Sequence, residues 1–223
     1  MKRLWMLCLV LGSTQLQAVD YELMGQVGKR WSETREQLFA SKESYTLATH
    51  VLIPAVPRIN VLLGPSAVID YYEANDHCEK LTCYTASHYK IGLDLGAEFP
   101  FEPVSAFFYG RMIVHSYGKH TVRGRTHLRF PKSLSTFENG QNEGELTKRS
   151  VGYNIVTGLK WSLWEELAVV LSFELAYEKH RTEDGGIIVR NDRGETLHLS
   201  SSLQSDWYTN NSSAIYMGIA YKI

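Results

Sequence analysis

The sequence has few cysteines, no excess of charge of either sign and no long apolar run after its first residues. Its 223 residues include 3 cysteines, and 23 Lys and Arg offset 24 Asp and Glu to a formal net charge of -1. Such a balance gives no electrostatic basis for binding nucleic acid. With 44% hydrophobic and 21% charged residues, the composition is that of a folded chain rather than a disordered one.

A membrane-spanning helix is also missing from the chain after its N-terminal residues. The most apolar stretch there, VLIPAVPRINVLLG, is interrupted by Pro54, Pro57 and Arg58. It falls well short of the ~20 apolar residues that a helix needs to cross a bilayer. A bundle of membrane helices is therefore excluded.

The first 18 residues, MKRLWMLCLVLGSTQLQA, have the pattern of a secretory signal peptide. Lys2 and Arg3 precede an apolar core, and a polar stretch follows it and ends at Ala18. We expect cleavage after Ala18, which leaves residues 19–223 as a single exported domain. A short N-terminal membrane anchor is the alternative.

Two cysteines lie in the exported part, Cys78 and Cys83 in NDHCEKLTCYT. Because an exported chain meets an oxidising compartment, we expect a local disulfide between them. Two thiols without a second Cys or His pair give only a weak zinc pattern. We therefore expect neither a metal nor a cofactor.

What the sequence has in abundance is alternation of apolar and polar residues with period two, the pattern of β-strands. In AVVLSFELAYEKH, for example, Leu171 and Phe173 share one face while Ser172 and Glu174 share the other. The pattern predicts eight strands, over residues 21–31, 44–54, 59–72, 89–101, 105–117, 151–163, 168–180 and 214–223.

The connections between these strands alternate strictly in length. PAVP, FEPV and LWEE are short, whereas residues 32–43, 73–88, 118–150 and 179–213 form long connections. All short turns therefore lie at one end of the sheet and all long loops at the other. Small outer-membrane barrels have this asymmetry, with short periplasmic turns and long extracellular loops.

Alternation alone does not separate a membrane barrel from a soluble lipocalin-like barrel, whose apolar face points inward. Small residues such as Gly92, Gly96 and Gly158 crowd the polar face, as the narrow interior of an eight-stranded barrel requires. Tyrosines stand at one depth on the apolar face: Tyr45, Tyr71, Tyr89, Tyr153 and Tyr177. Such a girdle marks a membrane interface, so we expect the apolar face to meet lipid.

Over residues 19–223 the chain resembles the small bacterial outer-membrane β-barrels of the OmpA-barrel, OmpX/Ail and OmpW kind. The resemblance implies an all-β fold, an eight-stranded antiparallel up-and-down transmembrane β-barrel, as a monomer among outer-membrane lipid and lipopolysaccharide. It implies no enzyme but a structural or surface-interaction role, in envelope integrity or in binding a host or envelope protein or glycan. A narrow gated pore is the alternative. A lipid A-modifying enzyme that uses His115, Ser116 and Glu178 is a further one.

The FEPV hairpin places Asp94 opposite Arg111 in the register that its short turn sets. Charges buried inside a barrel must pair with one another, so we expect an interior ionic network with His50 as a further inward-facing residue. The network is predicted to have a central group of Asp94, Arg111, Lys160 and Glu174, with Lys90, Glu98 and Glu178 above and below it.

Residues 117–132, YGKHTVRGRTHLRFPK, are basic and contain no acidic residue. If this stretch lies outside the membrane, it can bind the phosphates of lipopolysaccharide or an acidic host glycan; a merely solvated loop is the alternative. The residues expected to do so are Lys119, Arg123, Arg125, Arg129 and Lys132. Further along, GIIVRNDRGETLHLS predicts a protruding hairpin around NDRG, whose edge can add a strand from a partner protein.

Overall fold

The computed structural model describes residues 19–32, 42–73, 83–125, 132–138, 140–199 and 207–223. These residues form nine β-strands and a short 3₁₀ helix, Lys132–Phe137. The strands are β1 Asp20–Ser32, β2 Lys42–Val56, β3 Ile59–Glu73, β4 Cys83–Phe101, β5 Val104–Arg125, β6 Gln141–Ser162, β7 Leu167–Arg190, β8 Thr196–Leu199 and β9 Tyr208–Lys222. No helix in the described ranges is long and apolar enough to cross a membrane. The predicted signal peptide lies outside the described residues.

Eight of the strands close into a ring. Each of β1 to β7 pairs antiparallel with the next, and β9 closes the ring by pairing with both β7 and β1. The ninth, β8, is a short addition to the outer part of β7. The predicted eight-stranded antiparallel barrel is therefore confirmed.

The two faces of the barrel wall have the predicted orientation. On β7, Leu171 is 52% exposed and Phe173 40%, whereas the alternate residues Ser172 and Glu174 are 3% and 1% exposed. The same alternation runs along the other strands of the ring. The apolar side chains form the outer surface, and the charged ones fill the interior.

The short turns lie at one end, as predicted. β2 passes into β3 at Pro57–Arg58, β4 into β5 at Glu102–Pro103, and β6 into β7 through residues 163–166. The tyrosine girdle lies towards the opposite end, where Tyr153 and Tyr177 are register partners whose rings stack at 5.3 Å between centroids.

Strands β5, β6 and β7 are much longer than the sequence pattern predicts, at 22, 22 and 24 residues. Large parts of residues 118–150 and 179–213, which we expected as loops, are strand. The part of β6 from Tyr153 to Gln141 extends roughly 30 Å along the barrel axis, at ~3.3 Å per residue and ~40° tilt. We call the part beyond the girdle the projecting sheet: residues 118–125, 141–148, 182–190 and β8.

The pattern fails there for a physical reason. Beyond the membrane the outer face of the sheet meets water instead of lipid, so its side chains no longer need to be apolar and the contrast between the two faces disappears. The run QNEGELTKRS at residues 141–150 is accordingly polar on both faces, although it is strand throughout.

Candidate functional site

The middle of the barrel holds Arg111 between two carboxylates. Its Nε donates to Asp94 Oδ1 at 2.8 Å and its Nη2 to Asp94 Oδ2 at 3.0 Å, while Nη1 donates to Glu174 Oε2 at 3.2 Å. Asp94 and Arg111 are register partners on β4 and β5, at the position that the sequence predicts. Ser66 also donates to Asp94 Oδ1, at 2.7 Å.

Towards the extracellular end, Arg30 from β1 takes the central place. It donates to Glu174, to Asp70 Oδ1 at 3.0 Å and to Tyr216 Oη at 2.7 Å. Lys90 Nζ then bridges Asp70 Oδ2 at 2.8 Å and Glu178 Oε1 at 2.7 Å. This layer joins five strands of the ring through their side chains.

Beyond Lys90, three buried histidines lie near the outer end of the interior. The rings of His88 and His120 are 4.8 Å apart between centroids, and those of His88 and His180 are 5.8 Å apart. His180 Nε2 also lies 3.3 Å from Glu178 Oε2. Nowhere in the described part of the chain are three or more His, Cys, Asp or Glu side chains placed to hold a metal ion.

Towards the periplasmic end, Lys160 forms a separate layer. Its Nζ lies 2.6 and 2.7 Å from the two carboxylate oxygens of Glu22 and 3.3 Å from Glu98 Oε2. His50 links this layer to the middle, with Nδ1 3.5 Å from Glu22 and Nε2 3.1 Å from Asp94. Acids and bases thus alternate in one connected chain from the short turns to the extracellular mouth.

The structure brings together most of the predicted network, with one rearrangement and several additions. Lys160 pairs with Glu22 and Glu98, and not, as the sequence predicts, with the carboxylates of the central group, Asp94 and Glu174. Sequence reasoning left Glu22, Arg30 and Asp70 out of the network. A signal was available for each, because each shares a strand face with small or polar residues that point inward.

The interior leaves no room for larger side chains at its glycines. A Cβ added at Gly92 would lie 2.7 Å from Arg111 Cγ, and one at Gly158 would lie 2.5 Å from the Phe107 ring. Asp70 and Asp94 are both 0% exposed. Chemically, the arrangement is a filled, charge-paired core rather than an open cavity.

The candidate catalytic residues do not form a catalytic group. The register of β5 shifts between Ile113 and Gly118, so that His115 is exposed while Ser116 is buried. Ser116 Oγ donates to the Ser150 carbonyl at 2.7 Å and accepts from the Ser150 backbone N–H at 2.6 Å. Its hydroxyl therefore anchors the irregular part of β5 to β6. Glu178, in turn, binds Lys90.

The predicted basic loop is in part a strand, and its charges have acidic neighbours. Lys119 Nζ lies 2.8 Å from Glu145 and Arg123 lies 3.7 Å from Glu143, both across the β5–β6 ladder. The hydrogen bond to Glu145 and its negative charge raise the pKa of Lys119. The sequence window held no acid because the acids come from the neighbouring strand.

The structure describes only some of the other predicted basic residues and cysteines. Arg125 ends β5 and pairs in register with Gln141, and Lys132 begins the 3₁₀ helix as an exposed residue. Arg129 and Cys78 lie outside the described residues, so the Cys78–Cys83 disulfide stays a prediction.

The NDRG hairpin is present as predicted. The end of β7 pairs with β8 from Ile187 to Arg190, and the turn between them is closed by Asn191. Asn191 Oδ1 accepts from the backbone N–H groups of Arg193 and Glu195 at 3.0 and 2.9 Å.

Comparison with known proteins supports the fold rather than an activity. No protein-family model matches the chain, and neither does any curated protein. Among solved structures, a major outer membrane protein from Thermus thermophilus is similar with a TM-score of 0.50 and 13% identity, over 93% of this chain and 100% of that one.

Two further solved structures are more distant. The outer membrane protease OmpT from Escherichia coli has a TM-score of 0.49 and 8% identity, over 82% of this chain and 64% of that one. Ail, the attachment invasion locus protein of Yersinia pestis, has a TM-score of 0.45 and 9% identity, over 92% and 97%. This chain has the fold of the small bacterial outer-membrane β-barrels.

Proposed function

We propose that the protein is a non-conducting membrane anchor that holds a stiff β-sheet at the cell surface for binding. The observation that carries the proposal is the combination of a barrel filled by ion pairs with three strands that continue well beyond the tyrosine girdle. The first feature leaves little path for solutes. The second supports a binding surface outside the membrane.

The filled interior supports the non-conducting part of the proposal. A water-filled pore would give its lining carboxylates contact with water, yet Asp70 and Asp94 are 0% exposed and Arg111 is 1% exposed. Moving ions past them would require breaking several buried ion pairs at once, and each broken pair leaves an uncompensated charge. A narrow gated pore therefore needs a large rearrangement of this interior.

The projecting sheet supports the surface-binding part. A loop of similar length would lose much conformational entropy on binding, whereas a sheet whose strands are hydrogen-bonded along their length is already ordered. Its outer face carries exposed charged residues, among them Lys119, Arg123, Glu143 and Glu145. Such a surface suits a polar or charged partner.

We also propose lipopolysaccharide as the lipid partner around the rim. Lys179 is exposed and lies two residues beyond Tyr177 of the girdle, and Lys119 is exposed and lies two residues beyond Tyr117, the register partner of the girdle residue Tyr89. At this height a lysine lies level with the phosphates of the outer leaflet, which it binds as a point charge.

Conductance in planar bilayers tests the anchor. We expect no discrete channel events from the purified protein, and we expect events from a variant whose central plug is removed by Arg30→Ala, Arg111→Ala and Glu174→Ala together. Steady channel events from the unaltered protein would contradict the proposal and favour the pore.

Surface binding is tested by a variant in which short turns replace residues 119–147 and 182–206. The test applies if the variant retains the heat-modifiable gel mobility of a closed barrel. Cells that produce the variant should then lose binding to immobilised glycans and to envelope or matrix proteins, whereas cells that produce the full chain should retain it. Equal binding by both cell types would refute the display role.

A further inference from the structure

We infer that three cations on the outer wall of β6 and β7 bind a phosphate group of one lipid A molecule. We call these residues, Arg149, Lys179 and Arg181, the rim patch. They lie just beyond the girdle tyrosines Tyr153 and Tyr177, which are register partners on the same two strands. The inference rests on the proposed lipopolysaccharide partner and names the place on the wall that holds it.

The side chains of the rim patch share one face of the sheet. Along β7, Lys179 and Arg181 follow Tyr177 on the outer face, whereas the residues between them are buried. Arg149 of β6 is the register partner of Arg181, so its side chain lies on that same face. Arg149 is exposed, and its neighbour Ser150 is 2% exposed. A single ligand beside the wall can therefore contact all three cations.

Two like charges lie opposite each other across the β6–β7 ladder, at Arg149 and Arg181. Like charges in this position repel, and an anion between them relieves the repulsion. Glu183 supplies one carboxylate: its Oε1 accepts from Arg181 Nη2 at 3.0 Å and lies 3.7 Å from Arg149 Nη1. Among the described residues, Glu183 is the one acid within salt-bridge distance of the rim patch. Three cations and one carboxylate leave a net charge of +2.

The arginines of the rim patch are exposed enough to bind a ligand, and one of them is held in place. The side chains of Arg149 and Arg181 are 45% and 34% exposed. The guanidinium carbon of Arg181 lies 5.0 Å from the centroid of the Trp207 ring, an arrangement in which cation and ring attract each other. Exposed ion pairs such as those with Glu183 are weak. Both guanidinium groups can therefore donate to a phosphate as well.

The height of the rim patch matches the phosphate layer of the outer leaflet. Lys179 lies two residues beyond Tyr177 and Arg181 lies four, which is roughly 5 and 10 Å along the barrel axis at ~3.3 Å per residue and ~40° tilt. The polar layer on each side of a bilayer is roughly 5–8 Å thick, and a long arginine side chain can bend towards it. The rim patch therefore meets lipid headgroups rather than ligands in the medium.

The charge of the rim patch favours a phosphate monoester over the phosphodiester of a phospholipid. A monoester carries about −1.5 to −2 charges at neutral pH, which matches the net charge of +2, whereas a diester carries a single charge. Lipid A carries phosphate monoesters on a sugar in the outer leaflet. We therefore assign the rim patch to lipid A.

Native mass spectrometry of the full chain in detergent tests the inference. The probes are lipid A, lipid A without its phosphates, phosphatidylglycerol and inorganic phosphate. We expect one tightly bound lipid A per barrel, and about tenfold weaker binding after either Arg149→Gln or Arg181→Gln. The control is Arg193→Gln, because Arg193 is an exposed arginine of the turn after β7, far beyond the girdle; we expect no change. All variants should keep the heat-modifiable gel mobility of a closed barrel, since the replaced side chains lie on its surface.

Four results would overturn the inference: equal binding of lipid A with and without its phosphates, phosphatidylglycerol bound as tightly as lipid A, displacement of lipid A by millimolar inorganic phosphate, or an equal loss with Arg193→Gln. Lipid A binding that survives both arginine variants and is lost with Lys119→Gln would overturn this inference and leave the proposed lipid partner standing. No binding of lipid A by the unaltered protein would refute the proposed partner as well.

Discussion

Arg111 and Asp94 form a two-point ion pair across the β4–β5 ladder, with nitrogen to oxygen distances of 2.8 and 3.0 Å. Both side chains are almost completely buried, at 1% and 0% exposure. The desolvation of two such charges is costly, and their mutual attraction is what offsets it. The pair therefore has to be kept intact, whether or not it adds net stability.

Removing one partner of this pair should destabilise the barrel strongly. We expect Arg111→Met to lower the free energy of unfolding by about 3–5 kcal/mol, because it leaves the buried carboxylate of Asp94 without the guanidinium that binds it at two points. Arg111→Met combined with Asp94→Asn should cost less than the two single changes together. Urea unfolding of the protein in lipid vesicles measures both.

The exposed pair Arg123–Glu143 provides the control for that experiment. Its partners lie 3.7 Å apart on the surface, and Arg123→Met should change the free energy of unfolding by no more than ~1 kcal/mol. A loss at Arg111 as small as the loss at Arg123 would contradict a tightly charge-paired interior.

Glycine substitutions should distinguish the crowded interior from the outer surface. A Cβ at Gly158 would lie 2.4 Å from the Leu171 carbonyl oxygen and 2.5 Å from the Phe107 ring, whereas one at Gly25 would meet nothing within 4 Å. We expect Gly158→Ala to destabilise by about 1–3 kcal/mol through overpacking, and Gly25→Ala to be near neutral. If the two variants unfold at the same urea concentration, the interior is loosely packed and the prediction is wrong.

The loss of stability caused by a charge on the outer face should depend on the depth of that charge in the membrane. Leu171 lies midway along the membrane part of β7, six residues before Tyr177 of the girdle. We expect Leu171→Arg to cost about 2–4 kcal/mol and Tyr177→Arg about 0–1 kcal/mol, because hydrocarbon excludes the charge more than the interface does. Folding yield and unfolding in vesicles measure the difference, and an equal cost at both depths would argue against a lipid-facing surface.

Within the membrane the sequence predicts most of the fold. Each strand has lipid on one face and the polar barrel interior on the other, and this imposes a period-two pattern on its residues. That pattern locates the eight strands of the ring, the short turns and the inward orientation of Glu174. The FEPV turn is short enough to set the register, and so to place Asp94 opposite Arg111.

Other features are beyond such reasoning. The outer faces of the ends of β5, β6 and β7 carry polar and charged residues, so these segments lack the apolar–polar contrast that reveals a strand in the membrane. The choice of partners in the interior, such as Lys160 with Glu22 rather than with Glu174, depends on which side chains meet across the lumen. Strand register fixes neighbours along the wall but not contacts across the barrel.

The cysteine pair offers a test that depends on export alone. We expect Cys78 and Cys83 to be disulfide-bonded in protein isolated from the membrane, because exported thiols meet an oxidising compartment. Iodoacetamide should then modify both residues only after reduction, as peptide mass spectrometry reports. The control is a Cys83→Ser variant, in which Cys78 should react without reduction. If both thiols of the unreduced protein are readily alkylated, the predicted disulfide is absent.

The membrane anchor requires the outer face of the barrel to meet lipid, and spin labels on adjacent residues of β7 test this orientation most directly. In a Cys78→Ser, Cys83→Ser background, a label at Leu171→Cys in vesicles should collide readily with oxygen dissolved in the bilayer and little with a water-soluble nickel chelate. A label at Ser172→Cys, whose native side chain is 3% exposed, should be shielded from both. Access of the nickel chelate to position 171 in a folded barrel would show that the outer face does not meet lipid.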